Sequence, residues 1–236
     1  MPMDNTLIVR RLGLSNYHDT YEAMKIFTDS RSVHTSDEIW LVQHDPVFTL
    51  GRRGELKHIL DAGHIPVVHV DRGGQVTYHG PGQLVVYLLL DLQRRILGIR
   101  TLVDVLQKSI MQLLLNYGIE SSTQLEAPGV YVNDRKIASI GLRVRRGCCY
   151  HGISLNVAMD LTPFSRINPC GYAGLGVTQI CDLQGPGEID RVEQDLTGIL
   201  QGYLAHDNIT IHETLYNDRH ISQRGSFVST RTLVAE

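Results

Sequence analysis

The stretch that most limits the fold is Gln83 to Leu90, QLVVYLLL, where every residue after the glutamine is apolar or aromatic. A strand with one wet face alternates polar and apolar residues, because successive side chains point to opposite sides. An uninterrupted apolar strand must be covered on both faces. The run is far too short for a membrane span, which takes about 20 apolar residues in a helix. It reads as a central strand, and the rest of the chain has to supply two covering layers.

Thr6 to Val9, Glu38 to Gln43, Val47 to Leu50 and Val67 to Val70 read as further strands, with Asp45-Pro46 separating the second from the third. Thr101 to Tyr117 is the clearest helix. Leu102, Val105, Leu106, Ile110, Leu113 and Leu114 form its apolar stripe, Thr101 is the expected N-cap and Gly118 the stop. A first helix is expected from Asn16 to Asp29, capped by Ser15, and a last one from Glu188 to Leu204. Gly129 to Val132, Lys136 to Val144 and Ile153 to Val157 are strands, the first two joined by a turn at Asn133-Asp134. Strands and helices do not alternate strictly, so the expected class is α/β of the α+β type, a mixed β-sheet with flanking helices. One domain over residues 1–216 and a loose polar tail over 217–236 complete the expectation.

A formal net charge of −3 argues against a protein that grips a phosphate backbone. No basic region followed by an apolar stretch opens the chain, so a cytoplasmic protein with reduced thiols is expected. The cysteines, Cys148, Cys149, Cys170 and Cys181, include no CxxC pair, and the 11 histidines are scattered without HExxH. No metal site and no cofactor are expected.

Three places can carry chemistry. In KIASIGLRVR, period two puts Lys136 on the face of Ala138, Ile140, Leu142 and Val144, and the arginines on the other. Either the lysine stem snorkels to water, or the ammonium is partly desolvated and can shuttle a proton. The stretch Asp71 to Gln83 holds four glycines but is neither a P-loop nor a dinucleotide fingerprint. It is a ligand-lined turn, in which Arg72 can bind an anion and His79 can donate a hydrogen bond, or a purely structural one. Cys170, between Pro169 and Gly171, is a nucleophile or a small apolar filler.

RGGQVTYHGPGQLVVYLLLDL, followed by RKIASIGLRV, HGISLNV and INPCG, resembles the octanoyltransferases of lipoate biosynthesis, with the motifs in the family's order from Arg72 to Gly171. The resemblance implies a fold related to the biotin/lipoate-protein ligase catalytic domain. It implies transfer of an octanoyl group from octanoyl-acyl carrier protein to a lysine of lipoyl domains, those of 2-oxoacid dehydrogenase complexes and of the glycine cleavage H protein. Cys170 and Lys136 match the family's catalytic pair. Arg72, Gly73, Gly74, Gln75, Val76, Thr77, Tyr78 and His79 match segments that line the acyl site, as do Ser139, Ile140 and Gly141, and Gly152, Ile153 and Ser154. Cys148 and Cys149 lie outside the motifs and read as ordinary strand residues.

A thiolate suits such a relay, because thioester exchange keeps the acyl group activated and splits one transfer into two steps. Backbone N–H groups near Gly171 or in the Gly73-Gly74 turn are candidates for holding the oxyanion. Arg143, Arg145 and Arg146 either steer an acidic carrier domain or form a solvated strand edge. Two competing readings remain. One is an ATP-dependent lipoate- or biotin-type protein ligase, which needs no nucleophilic thiol. The other is a non-catalytic acyl- or carrier-domain-binding module.

Overall fold

The computed structural model describes residues 6–124, 127–204 and 208–213, so the tail expected over 217–236 lies outside the described residues. In chain order the elements are β1 (Thr6–Ser15), α1 (Tyr17–Ser30), β2 (Asp37–His44), β3 (Val47–Leu50), β4 (Val67–His69), β5 (Val76–His79), β6 (Gln83–Asp91), α2 (Ile99–Asn116), β7 (Gly129–Val132), β8 (Arg135–Arg145), β9 (Cys148–Asn156), α3 (Ile189–Tyr203) and β10 (Asn208–Glu213). The main sheet runs β10-β1-β2-β6-β9-β8-β7, and a small sheet runs β4-β3-β5. Pairing is parallel at β10-β1-β2 and antiparallel from β2 to β7, so the sheet is mixed as expected.

β6 stands at the centre, and its two phases serve two cores. Leu84, Val86, Leu88 and Leu90 pack with α2 and α3 on one face. Val85, Tyr87 and Leu89 pack with Tyr17, Tyr21 and Met24 of α1 on the other. Each fully buried side chain of this kind contributes roughly 1.5–3 kcal/mol, which is why neither phase of the strand tolerates polar residues. A third cluster joins Phe48, Leu50, Val76 and Tyr78 of the small sheet to Met159, Phe164 and Ile167.

Several boundaries differ from expectation. Asn16, not Ser15, caps α1, accepting from the N–H groups of His18 and Asp19, while Ser15 Oγ donates to the Leu12 carbonyl. α2 starts after Gly98, whose carbonyl accepts from the Leu102 N–H at 2.9 Å, which leaves Thr101 inside the first turn. Gly118 ends that helix with φ +75°, as its missing Cβ permits. Asn133 and Asp134 take φ +49° and +59°, the turn that matches strand twist, so the expected hairpin forms. β5 lies hidden in the glycine-rich stretch, and β10 extends the sheet by parallel pairing with β1.

Candidate active site

Lys136 opens β8, but strict alternation fails there. The register of β7 on β8 passes from Val130↔Ala138 to Tyr131↔Lys136, so Ile137 is an extra, bulged residue. Ile137 and Ala138 both turn toward the core under α2 and α3. Lys136 is thereby delivered to the opposite side. The apolar-face placement read from period two is corrected: the lysine shares its surroundings with Ser139 and Gly141, not with the core side chains. Its backbone is clamped by Gly176 and Thr178, its side chain is 3% exposed, and its ammonium sits 5.4 Å from the Tyr131 ring centroid. Gly129, at φ +156°, leaves the room this requires, since a Cβ there would lie 2.5 Å from Lys136 Cε.

Cys170 sits on the short 3-10 turn Pro169–Gly171 in a left-handed conformation, φ 58° and ψ 12°. A non-glycine residue held there costs on the order of 1 kcal/mol and needs a surround that fixes it. Asn168 N–H donates to the His58 carbonyl, Gly171 N–H to Asn168, and Tyr172 N–H to Pro169. The thiol so positioned accepts from Lys136 Nζ at 2.9 Å.

The glycine-rich turn forms the roof. Gly73 N–H donates to the Leu142 carbonyl at 3.0 Å and lays the turn across β8. A Cβ on Gly141 would meet Gly73 O at 3.1 Å and Arg72 Cδ at 3.2 Å, so the absent side chain is what admits the turn. Arg72 is buried, with Nη2 donating to Thr49 O and Oγ1 and Nη1 to Gly73 O. It braces the turn, the structural one of the two readings the sequence left open. The Gly73 and Gly171 N–H groups are likewise committed, which removes them as oxyanion donors.

These parts enclose a cavity of about 230 Å³. Of the residues expected to line it, Cys170, Lys136, Arg72, Gly73, Gly74, Gln75, Val76, Thr77, His79, Ser139, Ile140, Gly141, Gly152, Ile153 and Ser154 do so. Tyr78 does not: the pleat of β5 sends it to the opposite side, against Phe48 and Phe164. Sequence reading missed Tyr17, Arg53, Val85, Tyr87, Val103, Ala127, Pro128, Leu142 and His151. Tyr87 carried a signal, as the one polar-tipped side chain in the apolar run of β6.

The wall beyond is a polar cluster around half-buried Asp71. Asp71 accepts from Tyr21 at 3.0 Å and from Tyr150, and lies 3.0 Å from His151 Nε2. Burial opposes ionisation of Asp71, but the bonds from His151, Tyr150 and Tyr21 outweigh it and hold the carboxyl well below the usual range. Burial pushes His44 down to about 4, and burial together with His44 pushes His79 down to about 3, so both are neutral near pH 7. His79 stacks on Tyr17 and contacts Gln83 Oε1 at 2.7 Å. Cys149 is buried on β9 and its thiol is pushed up to about 12 by burial, which fits the strand role expected for it. Among the described residues no group of three or more His, Cys, Asp or Glu side chains could hold a metal ion. Among the described residues no helix is long and apolar enough to cross a membrane.

The lipoyl protein ligase A/B catalytic domain family matches residues 16–200. An octanoyltransferase of Shewanella putrefaciens is 51% identical over 216 residues, covering 91% of this chain and 99% of that one. The chain belongs to the octanoyltransferase family. It is an acyl-transferring enzyme. The fold agrees. A lipoate-protein ligase A solved with ATP superposes with a TM-score of 0.73 at 16% identity, covering 91% of this chain and 90% of that one. A biotin protein ligase from Aquifex aeolicus, solved with biotin and ATP, gives 0.53 at 15% identity over 85% and 70% of the two chains. The expected kinship of fold with both ligase types is therefore present.

Proposed function

We propose that this octanoyltransferase takes an octanoyl group from octanoyl-acyl carrier protein onto Cys170 and passes it to a lysine of a lipoyl domain. The acceptors are lipoyl domains of 2-oxoacid dehydrogenase complexes and the glycine cleavage H protein, and the reaction is the first step of protein lipoylation in the cytoplasm. The observation that supports this reading is the 2.9 Å contact of Lys136 Nζ with Cys170 Sγ at an apolar-walled cavity.

The ammonium stands against the sulfur, and the thiolate is the nucleophilic form. The thiolate attacks the donor thioester, the new C–S bond forms, and the donor C–S bond breaks. The departing carrier thiolate takes a proton from Lys136, which becomes a neutral amine. The neutral amine of the acceptor lysine then attacks the acyl-cysteine, its proton passes to Lys136, and Cys170 leaves as thiolate. Atoms and protons balance over the two half-reactions, and the pair returns to its starting state.

The test is transfer without nucleotide. The enzyme, octanoyl-acyl carrier protein and an apo lipoyl domain are mixed in the absence of ATP, and the lipoyl domain is weighed. It should gain one octanoyl group, while free octanoate plus ATP gives none. Transfer seen only with free octanoate and ATP would establish the ligase reading instead. Bound octanoate with no covalent product from either mixture would establish a binding module.

A further inference from the structure

The cavity is lined by three cations, Arg53, Arg72 and Lys136, and by no carboxylate. An octanoyl chain is uncharged and calls for none of them. Lys136 is engaged by the thiol and Arg72 by backbone carbonyls. Arg53 lies at the rim, exposed, in the loop over residues 51–61 that also carries exposed Arg52 and Lys57.

This loop is stitched to the segment that holds the thiol. Ile59 bridges Ile167, Leu60 N–H donates to the Arg166 carbonyl, and Asn168 N–H donates to that of His58. On its other side Arg52 N–H donates to Arg72 O and Arg53 N–H to Gly74 O, pinning it to the glycine-rich turn. The same two segments expose Leu56 (63%), Leu60 (59%) and Tyr172 (45%). Charge is unbalanced there. Lys57 pairs with Glu55 at 2.7 Å and Arg166 with Asp61 at 3.1 Å, but Arg52 and Arg53 face no carboxylate among the described residues. Arg143 and Arg145 of β8 offer no such surplus, because Arg145 pairs with Asp29 at 3.1 Å and Arg143 lies 3.8 Å from Asp71.

Resting on the thioester reading above, we propose that the loop over residues 51–61 is the docking surface for an acidic acyl-carrier domain. A chain of net charge −3 repels an acidic partner in general, so a cationic rim beside the thiol gives the encounter its orientation. The exposed leucines and the tyrosine supply apolar area to bury once contact is made.

The experiment compares Cys170 loading by octanoyl-carrier protein with loading by octanoyl-pantetheine, which has the same thioester and no carrier. Wild type and Arg52→Glu/Lys57→Glu are used, over a range of salt. The charge reversal should lower kcat/KM for the carrier donor tenfold or more at low salt. It should abolish that donor's salt dependence and leave octanoyl-pantetheine unchanged. Leu56→Ser should slow only the carrier donor and keep its salt dependence. Equal loss with both donors would make the loop a support for Cys170 and overturn the proposal. Loss confined to transfer from loaded enzyme to a lipoyl domain would assign the surface to the acceptor. Unchanged rates, or a concentration-dependent dimer disrupted by the reversal, would overturn it too. Failure of wild type to load from either thioester would be a different result, one that removes the thioester reading itself and this docking surface with it.

Discussion

Lys136 Nζ reaches Cys170 Sγ at 2.9 Å across 34 residues of sequence, and a single bulged residue, Ile137, is what turns the lysine toward the thiol. Removing the ammonium removes the hydrogen-bond donor that faces the sulfur. In Lys136→Ala, iodoacetamide alkylation of Cys170 should slow, and single-turnover loading should fall at least tenfold near neutrality. Lys136→Arg should keep alkylation near the wild-type rate but fail at transfer, since a guanidinium does not readily release a proton. Unchanged alkylation in both variants would leave the lysine a structural role alone.

Gly141 faces the turn that roofs the cavity, with Gly73 O and Arg72 Cδ just beyond the position of a Cβ. Gly141→Val should therefore crowd the slot and cut loading by octanoyl thioesters more than by butanoyl thioesters. Each buried methylene is worth about 0.8 kcal/mol, so the discrimination between these chains should change by well over tenfold. Equal loss with both chain lengths would place the effect on the fold and not on the slot.

Acid should unfold the protein through its buried histidines. His44 and His79 are depressed from 6.5 to about 4 and about 3, chiefly by burial. As pH falls below 6.5 the unfolded chain takes up protons that the fold refuses, so stability present above that pH is lost on the way down. For His44 the loss amounts to roughly 3 kcal/mol at about 1.4 kcal/mol per pKa unit. A plot of Tm against pH should fall between pH 6.5 and 4, and His44→Gln should flatten it. An equally steep limb in the variant would assign acid sensitivity elsewhere.

Glu193 predicts the opposite slope. Burial on α3 raises its carboxyl to about 7, against the pull of Arg11. Its folded value exceeds the usual 4.5, so the stability it contributes is present below 4.5 and lost as pH rises through about 7. Glu193→Gln should raise Tm at pH 8 and not at pH 5. A gain of the same size at both would show packing, not ionisation, to be responsible.

Most of the scaffold was legible because its signals are local. The unbroken apolar run of β6, the stripe of α2 and the Asn133-Asp134 turn each state their geometry in a few adjacent residues. The chemical pair was named only through a resemblance of motifs. Period two by itself placed Lys136 on the wrong side, because a bulge shifts the phase of a strand without any mark in its composition. Tyr17, Arg53 and His151 went unread as cavity residues for another reason. They come from α1, the loop after β3 and β9, and only the order of strands in the sheet brings them together. The bracing role of Arg72 was one of two readings left open, because the carbonyls its Nη atoms reach belong to Thr49 and Gly73, the first on a strand 23 residues away.

The most direct measurement is the mass of the intact enzyme after mixing with octanoyl-acyl carrier protein. One octanoyl group should appear, mapped to Cys170, labile to hydroxylamine, absent from Cys170→Ala and discharged by an apo lipoyl domain. An adduct on Cys148, Cys149 or Cys181, or full transfer by Cys170→Ala with no adduct at any stage, would contradict the account.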